Sequence, residues 1–333
     1  MRTDLKKVIL EINPTGIHSK QILAGFSLLE EKKKLRLKVK ENTELPNGLA
    51  IAEIAEKKII YDTLDHADIF FEDELKECDY YFKRSFQKIY ADKQGKNIRP
   101  LGFNYWVDNK FRYQANPRIL IEYIIRKILK KDNIIHNYKK FEDLPNLKNG
   151  KYEAILLTNL YDPKAKEVEN KQKEEEREKI NKFRIECIEA LRKSYPDKVL
   201  AGVKDSIYAQ MVAKQYILPK NITKKDNFIS IMQSTNICIC TKGLHNSNGW
   251  RLAEAIASSK CIVTEPLYNE VTGKFEKDKN YYEFRTPEEV VEIIGELINN
   301  KKKILDMMNK NYEYYNNYLR PDVLILNTIR EFL

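Results

Sequence analysis

Short apolar runs alternate with helical segments along the whole chain, and this alternation constrains the fold more than any other feature. KKVILEIN (6–13), AILLTNLY (154–161), VLAGV (199–203), NICICT (236–241) and KCIVTEP (260–266) read as buried strands, with LRLKVK (35–40) and KKIIYDTL (57–64) as strands that carry more charge. Helical patterns fall between and beyond them, over 18–31, the start of 73–92, 118–131, 163–196, 243–259 and 286–300. Parallel strands need long crossovers, so strands separated by helices predict parallel sheets covered on both faces. The expected class is α/β.

A length of 333 residues suits two such units. The stretch FEDLPNLKNGKYE (141–153), with Pro145, Asn149 and Gly150, interrupts the alternation and marks a boundary. The expected division is a Rossmann-like domain over 1–145, a second over 146–310, and a terminal helix over 311–333. A hydrophobic content of 42% and 11% aromatics excludes a disordered chain. No stretch approaches 18 apolar residues, and Glu11 interrupts the apolar run of the N-terminus, so neither a membrane span nor a signal peptide is expected. Five cysteines, at 78, 187, 238, 240 and 261, make no CxxC pair and no metal-ligand spacing with the four histidines. A reduced cytoplasmic protein without a metal is the expectation, with Cys238, Cys240 and Cys261 as packed core.

The net charge of +10 admits several polyanionic partners. Nucleic acid is not expected, because no RRM, zinc-finger or helix-turn-helix pattern accompanies the charge. The segment 163–196 reads as a long helix whose charge run is a solvated face and which becomes amphipathic at Phe183, Ile185, Ile188 and Leu191. Two basic and apolar stretches, 30–40 and 123–140, suit peripheral docking on an anionic membrane surface, although the same pattern also describes an exposed strand edge and a packed helix.

The most specific block is NICICTKGLHNSNGWRLAEAIASSKCIVTEP (236–266): strand, turn, helix, strand. Its turn contains Lys242, Gly243, His245, Asn246, Ser247, Asn248 and Gly249, followed by Trp250 and Arg251. Free N–H groups at a helix start, the positive end of its dipole and the missing Cβ of Gly249 together suit close approach by phosphate. Glu254 lies about one turn further on, on a helix whose Leu252, Ala255 and Ile256 should face a sheet. Read plainly, Ser247 or Asn248 is an N-cap and Glu254 a solvent-facing residue.

This block resembles the donor-binding signature of GT-B glycosyltransferases, in particular the retaining, family 4-like enzymes of bacterial surface-polysaccharide synthesis. Their signature has a Glu, seven residues and a second Glu. Gly249, Glu254, Ala255, Ser258-Ser259 and CIVTEP align with it, while the first Glu position is filled by Asn246. NPTGIHSKQILAGF, IIYDTLD and CDYYFKRSF look like such transferases more weakly. The resemblance implies two Rossmann-like domains facing a cleft, and a last helix that packs back on the first domain. It further implies sugar transfer from a nucleotide-sugar donor to a surface-glycan or lipid-linked acceptor. Glu254 would bond the ribose hydroxyls, and basic side chains rather than a metal or cofactor would neutralise the diphosphate, with Lys204, Lys242 and Arg251 as candidates.

Loops at the carboxyl ends of the first-domain strands supply the acceptor candidates. They hold Gly16, His18, Asp62, Asp65, His66, Lys83 and Arg84. His18, Asp62 or Asp65 would serve as base if the reaction inverts, and Lys83-Arg84 would suit a phosphate. The departure at Asn246 keeps open a second reading, a two-domain α/β protein that binds a nucleotide or phosphorylated ligand without transferring sugar.

Overall fold

A computed structural model describes residues 5–108, 121, 125 and 136–333. Most of the expected helix over 118–131 and of the 123–140 stretch lies outside the described residues. The chain forms two compact units. One comprises 1–142, 268–274 and 314–333; the other comprises 143–267 and 275–313. The return of 268–274 to the first unit has no counterpart in the sequence-based division.

The first unit is built on a six-stranded sheet ordered β2-β1-β3-β4-β5-β6. Its strands are β1 (Lys7–Ile12), β2 (Arg36–Glu41), β3 (Leu49–Ile54), β4 (Lys57–Asp62), β5 (Tyr80–Lys83) and β6 (Ile98–Pro100). Five run parallel, but β3 is antiparallel to both β1 and β4. This corrects the expected all-parallel sheet. The hairpin β3–β4 closes through Ala55 and Glu56, both left-handed at φ 48° and 62°. Such turns normally use Asn-Gly or Asp-Gly, so Ala-Glu gives no turn signal in the sequence. A short parallel pair, β7 (Val107–Asp108) with β8 (His136–Asn137), completes the strands of this unit among the described residues.

Helix α1 (Lys20–Glu31) covers one face of this sheet, burying Ile22, Leu23, Phe26 and Leu29 against Val8, Leu10 and Ile12. Its other partner is α7 (Pro321–Ile329), which brings Leu324 and Ile325 into the same core. Gly25 permits that contact, since a Cβ there would lie 2.3 Å from the Pro321 carbonyl oxygen.

The second unit is a five-stranded parallel sheet ordered β10-β9-β11-β12-β13. Its strands are β9 (Ala154–Thr158), β10 (Val199–Val203), β11 (Ile237–Cys240), β12 (Cys261–Thr264) and β13 (Tyr282–Glu283). Every residue of β9 to β12 is buried, which explains their uninterrupted apolar sequences. Its longer helices are α2 (Lys171–Ser194), α3 (Lys225–Ser234), α4 (Trp250–Ala257), α5 (Pro287–Ile298) and α6 (Lys301–Tyr314). Asn170 caps α2 by accepting from the Lys173 N–H, and Thr286 caps α5 with Pro287 at its first position. Among the described residues no helix is long and apolar enough to cross a membrane, and no cluster of three metal-ligating side chains occurs.

Candidate functional site

In the second sheet the strand order reverses at β9: β10 lies to one side and β11 to the other. In an open α/β sheet the carboxyl ends flanking such a reversal form the natural ligand crevice. The loop that leaves β11 there is 241–249, the turn singled out by the sequence.

Its geometry follows from local bonds. The Gly243 N–H donates to the Ser247 carbonyl at 3.0 Å and the Ser247 N–H to the Leu244 carbonyl at 3.0 Å. His245 and Asn246 both take left-handed conformations, at φ 58° and 53°. Such strain persists only where the surroundings impose it. The Glu176 carboxylate imposes part of it by accepting the His245 N–H at 2.6 Å, and its other oxygen lies 3.8 Å from His245 Nδ1. At Gly243 a Cβ would fall 2.5 Å from Ser247 Oγ, which would have to rotate aside. Gly249 then opens α4 with no side chain to cap its first N–H groups. Ser247 and Asn248 are buried, Lys242, His245, Trp250 and Arg251 half-buried, and Asn246 and Lys204 exposed.

Glu254 is the second feature of the site. It is buried, at 2% exposure, and both oxygens are engaged. Arg251 Nη1 donates to Oε2 at 2.7 Å and Lys225 Nζ bonds Oε1. The Arg251 guanidinium lies 3.5 Å above the Phe228 ring. Burial pushes the Lys225 ammonium below its ordinary pKa, a shift that Glu254 opposes and the nearby Arg251 and Lys204 reinforce. Lys225 and Arg251 thus hold one buried carboxylate between two cations. Lys225 was not foreseen, although a lysine as the first residue of a helix, at the positive end of its dipole, is a signal in itself.

Two further residues missed by the sequence reading fix the root of the turn. Arg184, on α2, donates to the Asn159 carbonyl at 2.6 Å, the Lys242 carbonyl at 2.7 Å and Thr241 Oγ1 at 3.0 Å. Glu265, just after β12, accepts the Lys242 N–H at 2.9 Å, and burial raises its carboxyl pKa against the opposing pull of Lys242 and Arg184. The expectation of a solvated charge run is therefore corrected at Arg177, Asn181 and Arg184, which extend the apolar face expected at Ile188 and Leu191. Arg177, Asn181 and Arg184, spaced by four and three residues, are buried with Ile180, Ile188 and Leu191. Charge density hid the polar part of that stripe.

In the first unit the predicted residues separate into two groups. Asp62 and Lys83, both completely buried, pair at 2.6 Å, with Tyr81 Oη donating to Asp62 at 2.7 Å and Lys83 Nζ to the Ile69 carbonyl at 2.6 Å. Burial raises the Asp62 carboxyl pKa and Lys83 opposes the rise. These two groups serve each other, so the base role of Asp62 and the phosphate role of Lys83 are not carried forward. The second group joins His18, Asp65 and Arg84. Arg84 Nη1 lies 2.5 Å from Asp65 Oδ1 and 3.2 Å from His18 Nδ1. A guanidinium only donates, so Nδ1 accepts and the ring proton is assigned to Nε2. Burial and then Arg84 lower the His18 pKa from 6.5 to about 4, against the pull of Asp65. Its accepting lone pair is spent on Arg84, so His18 is likewise set aside as a base. Gly16 sits in the β1–α1 turn, where the Asn13 side chain accepts from the Thr15 N–H and hydroxyl; a Cβ at 16 would lie 2.9 Å from Ser19 Oγ.

No protein-family model and no curated protein matches the chain. Among solved structures it is similar to the C-terminal domain of LpcC, a glycosyl transferase group 1 family protein of Francisella tularensis, at 16% identity over 54% of this chain and 95% of that domain, TM-score 0.37. It is similar to TarM of S. aureus at 11% identity over 78% of this chain, TM-score 0.46, and spans only 45% of TarM. A glycosyltransferase of Rickettsia africae matches at 10% identity over 98% of this chain and 96% of that one, TM-score 0.44.

Proposed function

We propose that this protein is a glycosyltransferase of the GT-B class, moving a sugar from a nucleotide-sugar donor to a surface-glycan or lipid-linked acceptor. One observation carries the reading. The 241–249 turn, opening α4, stands at the strand-order reversal of a parallel sheet in the same unit as Lys225 and Arg251, which pair with the buried Glu254. When the bond between sugar and diphosphate breaks, negative charge grows on the leaving nucleoside diphosphate. Fixed cations and oriented N–H groups stabilise that charge without a metal. Glu254, held by two cations, would present remaining lone pairs to the ribose hydroxyls. On the acceptor side Asp65, beside Arg84, is the base still available to an inverting course.

Peripheral attachment to an anionic membrane surface is a separable part of the proposal. It is supported by β2, at the edge of the first sheet, where Arg36, Lys38 and Lys40 form an exposed row. Co-sedimentation with anionic liposomes that weakens with salt is expected, and indifference to both would remove this part.

The test of function is titration of the purified chain with UDP, GDP and TDP and their sugars, alongside a transfer and hydrolysis assay. Binding of one nucleotide, with turnover of its sugar, is expected. Binding without turnover would favour the non-transferase alternative, and no binding to any of them would overturn the transferase reading.

A further inference from the structure

The two strands at the reversal point share only a short ladder. β9 and β11 pair only at Ala154 with Ile237 and at Ile155 with Cys238, although they continue to Thr158 and Cys240. Their carboxyl ends are therefore not held together by backbone bonds. The side chain that spans them is Arg184. Its guanidinium binds the carbonyl of Asn159, the first residue beyond β9, and the carbonyl of Lys242, the second beyond β11, with Nε on Thr241 Oγ1. It packs 4.7 Å from the Tyr161 ring centroid and the residue is 4% exposed. These bonds run to two carbonyls and a hydroxyl, not to a carboxylate. A buried cation so placed is costly unless the geometry it enforces is needed. The same peptide unit is gripped from the other side, where Glu265 takes the Lys242 N–H.

We infer that Arg184 sets the width of the opening between the loops after β9 and β11, and is thereby a positioning residue for the anion-binding turn 241–249. Its planar fork reaches three acceptors on two loops at once, which the single nitrogen of a lysine cannot reproduce. The consequence for the donor rests on the proposed nucleotide-sugar reading; the consequence for the turn does not.

Arg192 is the natural control. It lies on the same helix and spans carbonyls in the same manner, of Ala201, Gln215 and Tyr216, but at β10, away from the reversal. The test compares Arg184→Lys and Arg192→Lys in the full chain with Trp106→Phe, which leaves Trp250 beside the turn as the only indole. Arg184→Lys should raise acrylamide quenching of Trp250 at least twofold without any ligand and weaken nucleoside diphosphate binding about tenfold. Arg192→Lys should lower the melting temperature comparably and leave both readouts unchanged. Thr241→Val, which removes one partner of Arg184, provides a milder variant should Arg184→Lys fail to fold, with a smaller increase expected in the same direction. Equal quenching in the Arg184 or Thr241 variant and the Arg192 control would overturn the inference. Raised quenching in a protein whose parent binds no nucleotide would sustain the positioning role and defeat the transferase reading instead.

Discussion

Replacing Glu254 with Gln keeps the side-chain shape and removes one charge, so its cost can be worked from the neighbours. The carboxylate is 2% exposed and bonds two cations whose side chains are 33% (Lys225) and 26% (Arg251) exposed. Removing one partner of a fully buried pair costs about 3–5 kcal/mol, since the remaining charge is left uncompensated. Partial exposure of the cations lets water offset part of that, which brings the expected loss to about 2–3 kcal/mol. For a unit of this size the melting temperature should fall by about 5–10 °C. The assay is thermal unfolding at pH 7, paired with nucleotide titration, where a tenfold loss of affinity corresponds to about 1.4 kcal/mol. A second variant separates stability from ligand binding. Lys225→Met, Arg251→Met and Glu254→Leu together replace the charged cluster with apolar groups beside Phe228, and such replacements are often neutral or stabilising. The triple variant should recover most of the melting temperature and still fail to bind nucleotide. A shift below about 1 °C in Glu254→Gln, or wild-type nucleotide affinity in the triple variant, would refute the reasoning.

His18 has a folded pKa of about 4, depressed from 6.5, so the folded state binds fewer protons between those values. Its contribution, about 3 kcal/mol, is present above pH 6.5 and lost as pH falls through 4; urea midpoints at pH 7 and 4.5 should therefore converge in His18→Gln relative to wild type. Ala55→Asn with Glu56→Gly suits the left-handed hairpin turn and should stabilise the chain by about 1 kcal/mol in chemical denaturation. Gly25→Ala, which in an open helix would stabilise, should instead cost about 1–3 kcal/mol, because its methyl meets Pro321 O at 2.3 Å and Ile325 Cγ1 at 2.4 Å.

The uncharged strands of the second unit were legible because burial on both faces leaves no room for a polar alternation. Strand, turn and helix over 236–257 were equally legible, since Gly249 and the apolar face of α4 mark the start of the helix. The antiparallel β3 was not, because its turn is made by residues with no turn preference and is imposed by the flanking pairs. Asp62 and Lys83 were visible as strand-end charges, but only the structure reveals that their chemistry is used up on each other.

The sequence by itself determined the α/β class, the position of the turn 241–249 and the presence of Glu254 one turn beyond it, because periodicity and glycine placement act over a few residues. The tertiary structure alone decided what stands around them. Lys225 lies 29 residues from Glu254, Arg184 lies 58 from Lys242, and Glu265 lies 23 from the same peptide. Those separations are closed by the parallel sheet, which brings the ends of distant strands and helices to one edge. A side chain's partners there depend on strand order and helix rotation, which no local pattern encodes.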